Sequence, residues 1–65
     1  MNYKKKLKER YKQTCKLIEL DQKYLEQFGP YLTDEAKSIM LAEIDLLIIQ
    51  KLDIEDEAKK AGVIL

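Results

Sequence analysis

The residues of this chain that could most readily bind a charged ligand form a basic run near its start. Residues 1–16 hold seven basic residues and one acidic residue, whereas residues 17–65 hold five basic and eleven acidic residues. Lysines spaced by four lie on one side of a helix, where each like-charged pair costs ~0.2–0.5 kcal/mol. The residues predicted as a possible contact for a nucleic acid or an acidic partner are Lys4, Lys5, Lys8, Lys12 and Lys16.

Three kinds of partner could offset this repulsion. Nucleic acid is one, since each phosphate neutralised by a lysine releases a counterion. An acidic protein or membrane surface is another. The third is the chain's own acidic cluster at residues 53–57, because residue i of an antiparallel hairpin would lie across from roughly residue 61 − i. In that arrangement residues 4–12 face the acidic cluster, and the two charged segments neutralise each other.

Groups suited to catalysis or metal binding are scarce. The chain has one cysteine and no histidine, so Cys15 has neither an imidazole base to form its thiolate nor partners for a zinc site. The acidic cluster at residues 53–57 lacks the sixth-position glycine and the distal glutamate of a calcium loop. Gly29 is isolated and does not belong to a phosphate-binding loop. We therefore expect no enzymatic activity, no cofactor and no metal.

The elements that must position these residues begin with a helix predicted over residues 2–28. Asn2 suits its N-cap, because its side chain can accept a hydrogen bond from an unpaired backbone N–H. Gly29 and Pro30 should end the helix, with Gly29 in the left-handed conformation. The residues spaced alternately by four and three, as in a heptad seam, are Tyr3, Leu7, Tyr11, Thr14, Ile18, Asp21, Leu25 and Phe28.

A second helix is predicted over residues 34–61, after a turn at residues 29–33. Thr33 has the character of an N-cap, and acidic residues follow it in the first turn. Gly62 should stop this helix, which leaves an apolar tail at residues 62–65 that either folds back over the open end or frays. Two long helices joined by a short turn predict an all-α antiparallel helical hairpin in one domain, residues 1–65.

The second helix is apolar on more than one side between residues 39 and 54. One broad face consists of Met40, Leu41, Ile44, Leu47, Ile48, Leu52 and Ile54. The residues expected at the centre of a bundle are Ile44, Leu47, Ile48 and Leu52. A chain of 65 residues without a disulfide cannot bury both sides. We therefore expect a homodimer that forms a four-helix bundle. The residues predicted to contact a second copy or another protein are Leu17, Leu20, Tyr24, Ile39, Ala42, Leu46 and Ile49.

In length and inferred architecture the chain resembles the Rop family of plasmid RNA-binding proteins, which are dimers of helical hairpins. The resemblance covers the whole chain as a helix–turn–helix pattern without a shared motif, so it assigns no functional residue. The sequence leads to two functional hypotheses. The first is a small non-enzymatic protein–protein interaction module (a regulator, inhibitor or adaptor) that acts as a homodimer, and the second is a nucleic-acid-binding dimer.

The cellular setting is predicted from absences. A single cysteine and a start unlike a signal peptide favour a reducing, cytoplasmic location. No apolar run approaches the ~18 residues that a membrane-spanning helix needs.

Overall fold

The computed structural model describes residues 2–65, which form two long helices and no strand. Helix α1 spans Tyr3–Phe28, a 3₁₀ turn spans Gly29–Tyr31, and helix α2 spans Asp34–Ala61. The helices lie side by side in opposite directions within a body of 43 × 16 × 15 Å. The predicted all-α helical hairpin is therefore confirmed, and its assembly into a four-helix bundle stays a prediction.

Both helices begin at the capping residues that the sequence indicates. The Asn2 side chain accepts a hydrogen bond from the Lys4 backbone N–H at 3.0 Å. The Thr33 hydroxyl oxygen accepts one from the Ala36 N–H at 3.1 Å. Each bond satisfies a donor in a helix's first turn, which has no partner within the helix.

The turn corrects the conformation predicted for Gly29. Its φ is −48°, so it is right-handed and begins the 3₁₀ turn, in which the Leu32 N–H donates to the Gly29 carbonyl at 3.1 Å. A residue before proline is normally forced out of the helical region by a clash that involves its Cβ. Glycine has no Cβ, and this relieves the clash with Pro30 and lets the chain tighten before α2.

The end of α2 folds back and completes the core. Gly62 has a φ of 70°, and the Val63 N–H donates to the Ala58 carbonyl at 2.8 Å. This is the Schellman geometry, in which a left-handed residue lets the chain reverse and satisfy the last carbonyls. Val63 is thereby buried with Leu7, Ile54 and Ala58, so the tail folds back at Val63, whereas Ile64 and Leu65 stay exposed.

The seam between the helices lies on the predicted side of α1, and on α2 it uses only part of the broad apolar face. Leu7 and Thr14 are buried, and the Thr14 hydroxyl donates to the Arg10 carbonyl at 2.8 Å, which satisfies this polar group inside the seam. On α2 the partly or fully buried seam residues are Met40, Ile44, Leu47, Lys51, Ile54 and Ala58. The residues of the broad apolar face that are exposed in the hairpin are Leu41, Ile48 and Leu52. The place predicted for Ile48 and Leu52 at the centre of a bundle stays a prediction.

The register of the hairpin follows from its cross-helix contacts. Tyr3 and Arg10 contact Glu57, and Tyr11 contacts Glu55. The numbers of residues at the same level along the two helices therefore sum to about 64, close to the 61 expected from the turn position.

Candidate interaction surfaces

The open end of the hairpin is held by two tyrosines and one arginine that contact acidic residues of α2. The Tyr3 hydroxyl donates to Oε1 of Glu57 at 2.8 Å, and Nη1 of Arg10 lies 3.6 Å from Oε2 of the same carboxylate. The Tyr11 hydroxyl donates to Oε2 of Glu55 at 2.7 Å. The predicted neutralisation of the acidic cluster by the basic run is thus limited to Arg10.

These contacts raise the pKa of both phenols. The hydrogen bond to Glu55 is the main reason that the pKa of Tyr11 rises to about 12, with smaller contributions from desolvation, from the Glu55 charge and from the neighbouring Cys15. The hydrogen bond to Glu57 raises the pKa of Tyr3 in the same way. An ionised phenol would lose its proton donor and face a carboxylate, so both tyrosines stay neutral well above physiological pH.

The lysines of the basic run have no such partners. Within residues 2–65, no carboxylate lies within the 4.0 Å ion-pair distance of the lysines at positions 4, 5, 8, 12 and 16. All five side chains are exposed. Their mutual repulsion is therefore not offset by ion pairs within the protomer.

One apolar surface spans both helices on the side of the seam marked by Arg10 and Glu57. Leu17 and Tyr24 follow Arg10 by one and two heptads, so they lie on its side of α1. Ile39 precedes Glu57 by about five helical turns and therefore points in the same direction from α2. We call this surface the cross-helix face, and its members are Leu17, Leu20, Tyr24, Ile39 and Leu46, all exposed.

The two rows of the cross-helix face are aligned along the hairpin. In the observed register Leu17 is level with Leu46, and Tyr24 is level with Ile39. A shallow depression of about 300 Å³ lies along the α1 row, and its lining includes Leu17 and Leu20. The Tyr24 ring packs against the Phe28 ring at a centroid distance of 4.8 Å, which extends the apolar surface towards the turn.

A second surface lies on the opposite side of the seam, which Tyr11 and Glu55 mark. Cys15 lies one turn after Tyr11, and its thiol is near enough to affect that phenol. Ile48 and Leu41 precede Glu55 by one and two heptads. We call this surface the Cys15 face, and its members are Lys4, Lys8, Lys12, Cys15, Glu19, Gln22 and Glu26 on α1 and Leu41, Asp45, Ile48 and Leu52 on α2.

The remaining predicted interface residues lie on the outer side of α2. Ala42 and Ile49 are exposed and point away from α1, between the two faces. Every predicted interface residue is therefore at the surface of the protomer. The structure divides them between the cross-helix face and this outer stripe, and it adds the Cys15 face, which the sequence analysis missed.

The protomer exposes more surface than its mass requires. Its accessible surface is 5337 Å², whereas a compact monomer of 7.7 kDa is expected to expose about 4,300 Å². The excess of roughly 1,000 Å² is similar to the ~800 Å² that each partner contributes to a stable protein–protein interface. The surface available for a partner is therefore of the size that a specific complex uses.

The described part of the chain offers little else for ligand chemistry. Among residues 2–65 no three histidine, cysteine or acidic side chains are grouped so that they could hold a metal ion. Neither helix in this range is long and apolar enough to cross a membrane.

No family model, curated protein or solved structure matches this chain significantly. The candidate site therefore depends on the residues themselves. The tyrosine–glutamate bonds were missed by the sequence analysis, although both tyrosines occupy seam positions opposite the acidic cluster. The Cys15 face also had a signal, because its α1 residues follow one another at helical spacings of three and four.

Proposed function

We propose that this chain is a small non-enzymatic protein–protein interaction module that acts as a homodimer and binds an amphipathic helix of another protein on its cross-helix face. The observation that carries this proposal is the alignment of five exposed, large apolar side chains from two helices on one side of the hairpin. A role as a regulator, inhibitor or adaptor is consistent with this surface.

The shape of the cross-helix face favours a helical ligand. Its two rows flank the line between α1 and α2, and the α1 row extends over about two helical turns from Leu17 to Tyr24. A helix laid between the rows would present apolar residues at i, i+3 or i+4, and i+7, which is how helices bind in hydrophobic grooves. Tyr24 would be the aromatic anchor at the turn end of this face, because aromatic residues contribute disproportionately to binding free energy.

Site-specific crosslinking tests this proposal. A photoreactive phenylalanine derivative in place of Leu20 should capture a partner whose crosslinked segment is an amphipathic helix, whereas the same derivative in place of Lys5 should not. A synthetic peptide of that segment should bind the wild type, and Leu46→Glu should weaken its binding at least tenfold by placing a charge in the apolar groove. Leu52→Glu, a change of the same kind on the other face, should leave peptide binding intact.

The proposal predicts that the captured molecule differs from this chain. If the derivative at position 20 crosslinks only to a second copy, the cross-helix face is a homodimer interface and the proposed partner site is absent.

A second candidate function is nucleic-acid binding, which the unpaired lysines of α1 favour. Under this hypothesis a fluorescent RNA or DNA duplex should bind at ~50 mM salt, and its affinity should fall steeply as salt increases. Lys8→Glu combined with Lys12→Glu should abolish that binding. Absence of binding by the wild type at low salt would exclude this function.

A further inference from the structure

The α1 stripe of the Cys15 face changes charge sign at its midpoint. It consists in order of Lys4, Lys8, Lys12, Cys15, Glu19, Gln22 and Glu26. Three cations precede Cys15, and two carboxylates and an amide follow it. A helix stripe with this pattern is complementary to a second copy of itself in the opposite direction.

The charges are placed almost symmetrically about Cys15. Lys4 and Glu26 are each eleven residues from Cys15 along the sequence. Lys12 and Glu19 are three and four residues from it. When two copies of α1 pack antiparallel around Cys15, each lysine at these two positions therefore lies opposite a carboxylate of the other copy.

The α2 half of the same face supplies the apolar contact. In the observed register Ile48 is level with Cys15, and Leu41 and Leu52 lie on either side of it. A two-fold axis that passes Cys15 on α1 must therefore also pass Ile48 on α2. That axis brings each Ile48 against its own copy, and it covers leucines that the protomer leaves exposed.

We propose that a second copy of this chain docks antiparallel on the Cys15 face, with the two-fold axis passing Cys15 and Ile48. This assigns the two faces of the hairpin to different partners, the Cys15 face to a second copy and the cross-helix face to another protein. It deepens the homodimer part of the proposed function. The resulting assembly is a four-helix bundle in which α1 packs on α1 and α2 packs on α2.

The composition of the Cys15 face favours a second copy over a polyanion. Glu19, Glu26 and Asp45 lie on this face and would repel nucleic acid or an anionic membrane. Asp45 lies close to the level of Lys51 of the second copy in the antiparallel arrangement. Lys4 and Lys12, which lack carboxylate partners in the protomer, gain Glu26 and Glu19 of the second copy in the dimer, which offsets part of the repulsion along α1.

A charge-exchange experiment tests the register. In the dimer of either single variant, Lys12→Glu or Glu19→Lys, both of the ion pairs between positions 12 and 19 become pairs of like charge. Exposed ion pairs contribute little individually, so the change at two pairs should raise the dimer dissociation constant about tenfold. An equimolar mixture of the two variants should dimerise as tightly as the wild type, because both pairs become attractive again in the heterodimer. Sedimentation equilibrium measures all three samples.

Matched controls separate the register from net charge. Lys6→Glu and Glu9→Lys make the same charge changes at exposed positions of α1 that lie outside the Cys15 face. Neither should change the dissociation constant by more than about twofold at physiological salt, where distant exposed charges are screened. Circular dichroism should show nearly the same helix content in all variants, because each changed side chain is exposed. Glu19→Lys also removes the ion pair of Glu19 with Lys23 at 3.2 Å, and a pair of this kind contributes only a little to the stability of a helix.

Substitutions of two leucines of α2, one on the Cys15 face and one on the cross-helix face, test the apolar part of the proposed dimer interface. Leu52 is 56% exposed and Leu46 is 61% exposed, so replacing either by glutamate should change the folding stability of the single hairpin to a similar extent. Leu52→Glu should abolish dimerisation, and Leu46→Glu should leave the dimer intact while weakening binding of the partner peptide. The failure of the docking geometry and the failure of the proposed partner site are therefore distinguishable.

Cys15 itself provides a geometric test. A disulfide requires Cα atoms about 4.4–6.8 Å apart, which two facing residues at a two-fold axis can reach. Diamide, which accepts the two electrons and two protons of the thiol pair, should link the wild type into a covalent dimer at micromolar concentration. Gln13→Cys in a Cys15→Ser background places the thiol on the other side of α1 and should link much more slowly.

Three results would overturn the proposal. One is a wild type that stays monomeric at the highest concentration tested. Another is a mixture of the charge-exchanged variants that dimerises no better than either alone. The third is a dimer that Leu46→Glu disrupts and Leu52→Glu does not, which would place the second copy on the cross-helix face.

Discussion

Tyrosine hydroxyls of α1, rather than its lysines, reach across to the carboxylates of α2 at the open end of this hairpin. Tyr3 and Tyr11 lie on the side of α1 that faces α2, and their rigid rings bring the hydroxyls to within 2.8 Å of Glu57 and Glu55. The lysines of the Cys15 face lie further from α2 around the circumference of α1 and are exposed. Long flexible side chains lose rotamer entropy on pairing, whereas tyrosine loses less.

The Tyr11 bond predicts a loss of stability at high pH. The folded-state pKa of Tyr11 is about 12 against an ordinary value of 10.0, so its contribution is complete below pH ~10 and is lost as pH rises towards ~12. Chemical denaturation from neutral to alkaline pH should show this fall, and Tyr11→Phe should reduce it. Tyr31→Phe, at a side chain that is 85% exposed, is the control. An unchanged alkaline profile in Tyr11→Phe would contradict the prediction.

Leu7 is the residue on which the small core depends. It is 1% exposed and packs with Ile54, Ala58 and Val63. Leu7→Ala should lower the free energy of unfolding by about 2–4 kcal/mol, because it removes buried methyl groups and leaves a cavity. Leu20→Ala removes the same atoms from an exposed position and should cost well under ~1 kcal/mol. Denaturant titration of both variants measures the difference, and equal losses would show that the core lies elsewhere.

At the scale of the elements, local signals account for the ends of both helices. Asn2, Thr33 and Gly62 perform the capping roles that their chemistry indicates, because capping depends on neighbours within one turn. Gly29 departs from its expected conformation because Pro30 and the tight turn impose a 3₁₀ geometry. A turn of this length has several backbone solutions, and packing at its two ends selects among them.

Gly62 carries a prediction that links local geometry to the core. Its φ of 70° is costly for residues with a Cβ, so Gly62→Ala should destabilise the hairpin by about 1 kcal/mol. Val63 would lose its place beside Ala58 as the reversal weakens. Gly62→Asn should retain most of the stability, because asparagine tolerates the left-handed conformation. Thermal melts compare the three proteins, and an alanine variant as stable as the wild type would contradict this account.

The sequence of α2 does not indicate which of its apolar residues pack against α1 and which stay exposed. A heptad that includes Lys51 faces α1, while Leu52, the next residue, is exposed. A prediction from hydrophobicity alone would place Leu52, rather than Lys51, against α1. The observed rotation instead places Ile54 and Ala58 against Leu7, where the folded-back Val63 completes a cluster.

At the scale of the whole molecule, the protomer has a thin core and a large exposed apolar surface. The buried cluster lies at the open end, and Ile44 is the buried apolar residue in the middle of α2. The half nearer the turn holds most of the cross-helix face. This distribution is what a chain should show when part of its apolar surface is reserved for partners.

Dimerisation predicts that thermal stability depends on concentration. A second copy that binds the folded hairpin as proposed, and not the unfolded chain, would make the melting temperature rise with protein concentration. Leu52→Glu should melt at a temperature independent of concentration. Calorimetry over a hundredfold range of concentration measures this, and a wild type without any shift would contradict the dimer.

The sequence alone determined the helices, their caps, the α1 seam and the excess of apolar surface, since each depends on residue type and spacing within a few turns. The tertiary structure decided which side of α2 faces α1, and with it the separation of the cross-helix face from the Cys15 face. That decision depends on Tyr11 reaching Glu55 and on Val63 reaching Leu7. These residues are far apart in the chain, and spacing within one helix carries no information about contacts between helices.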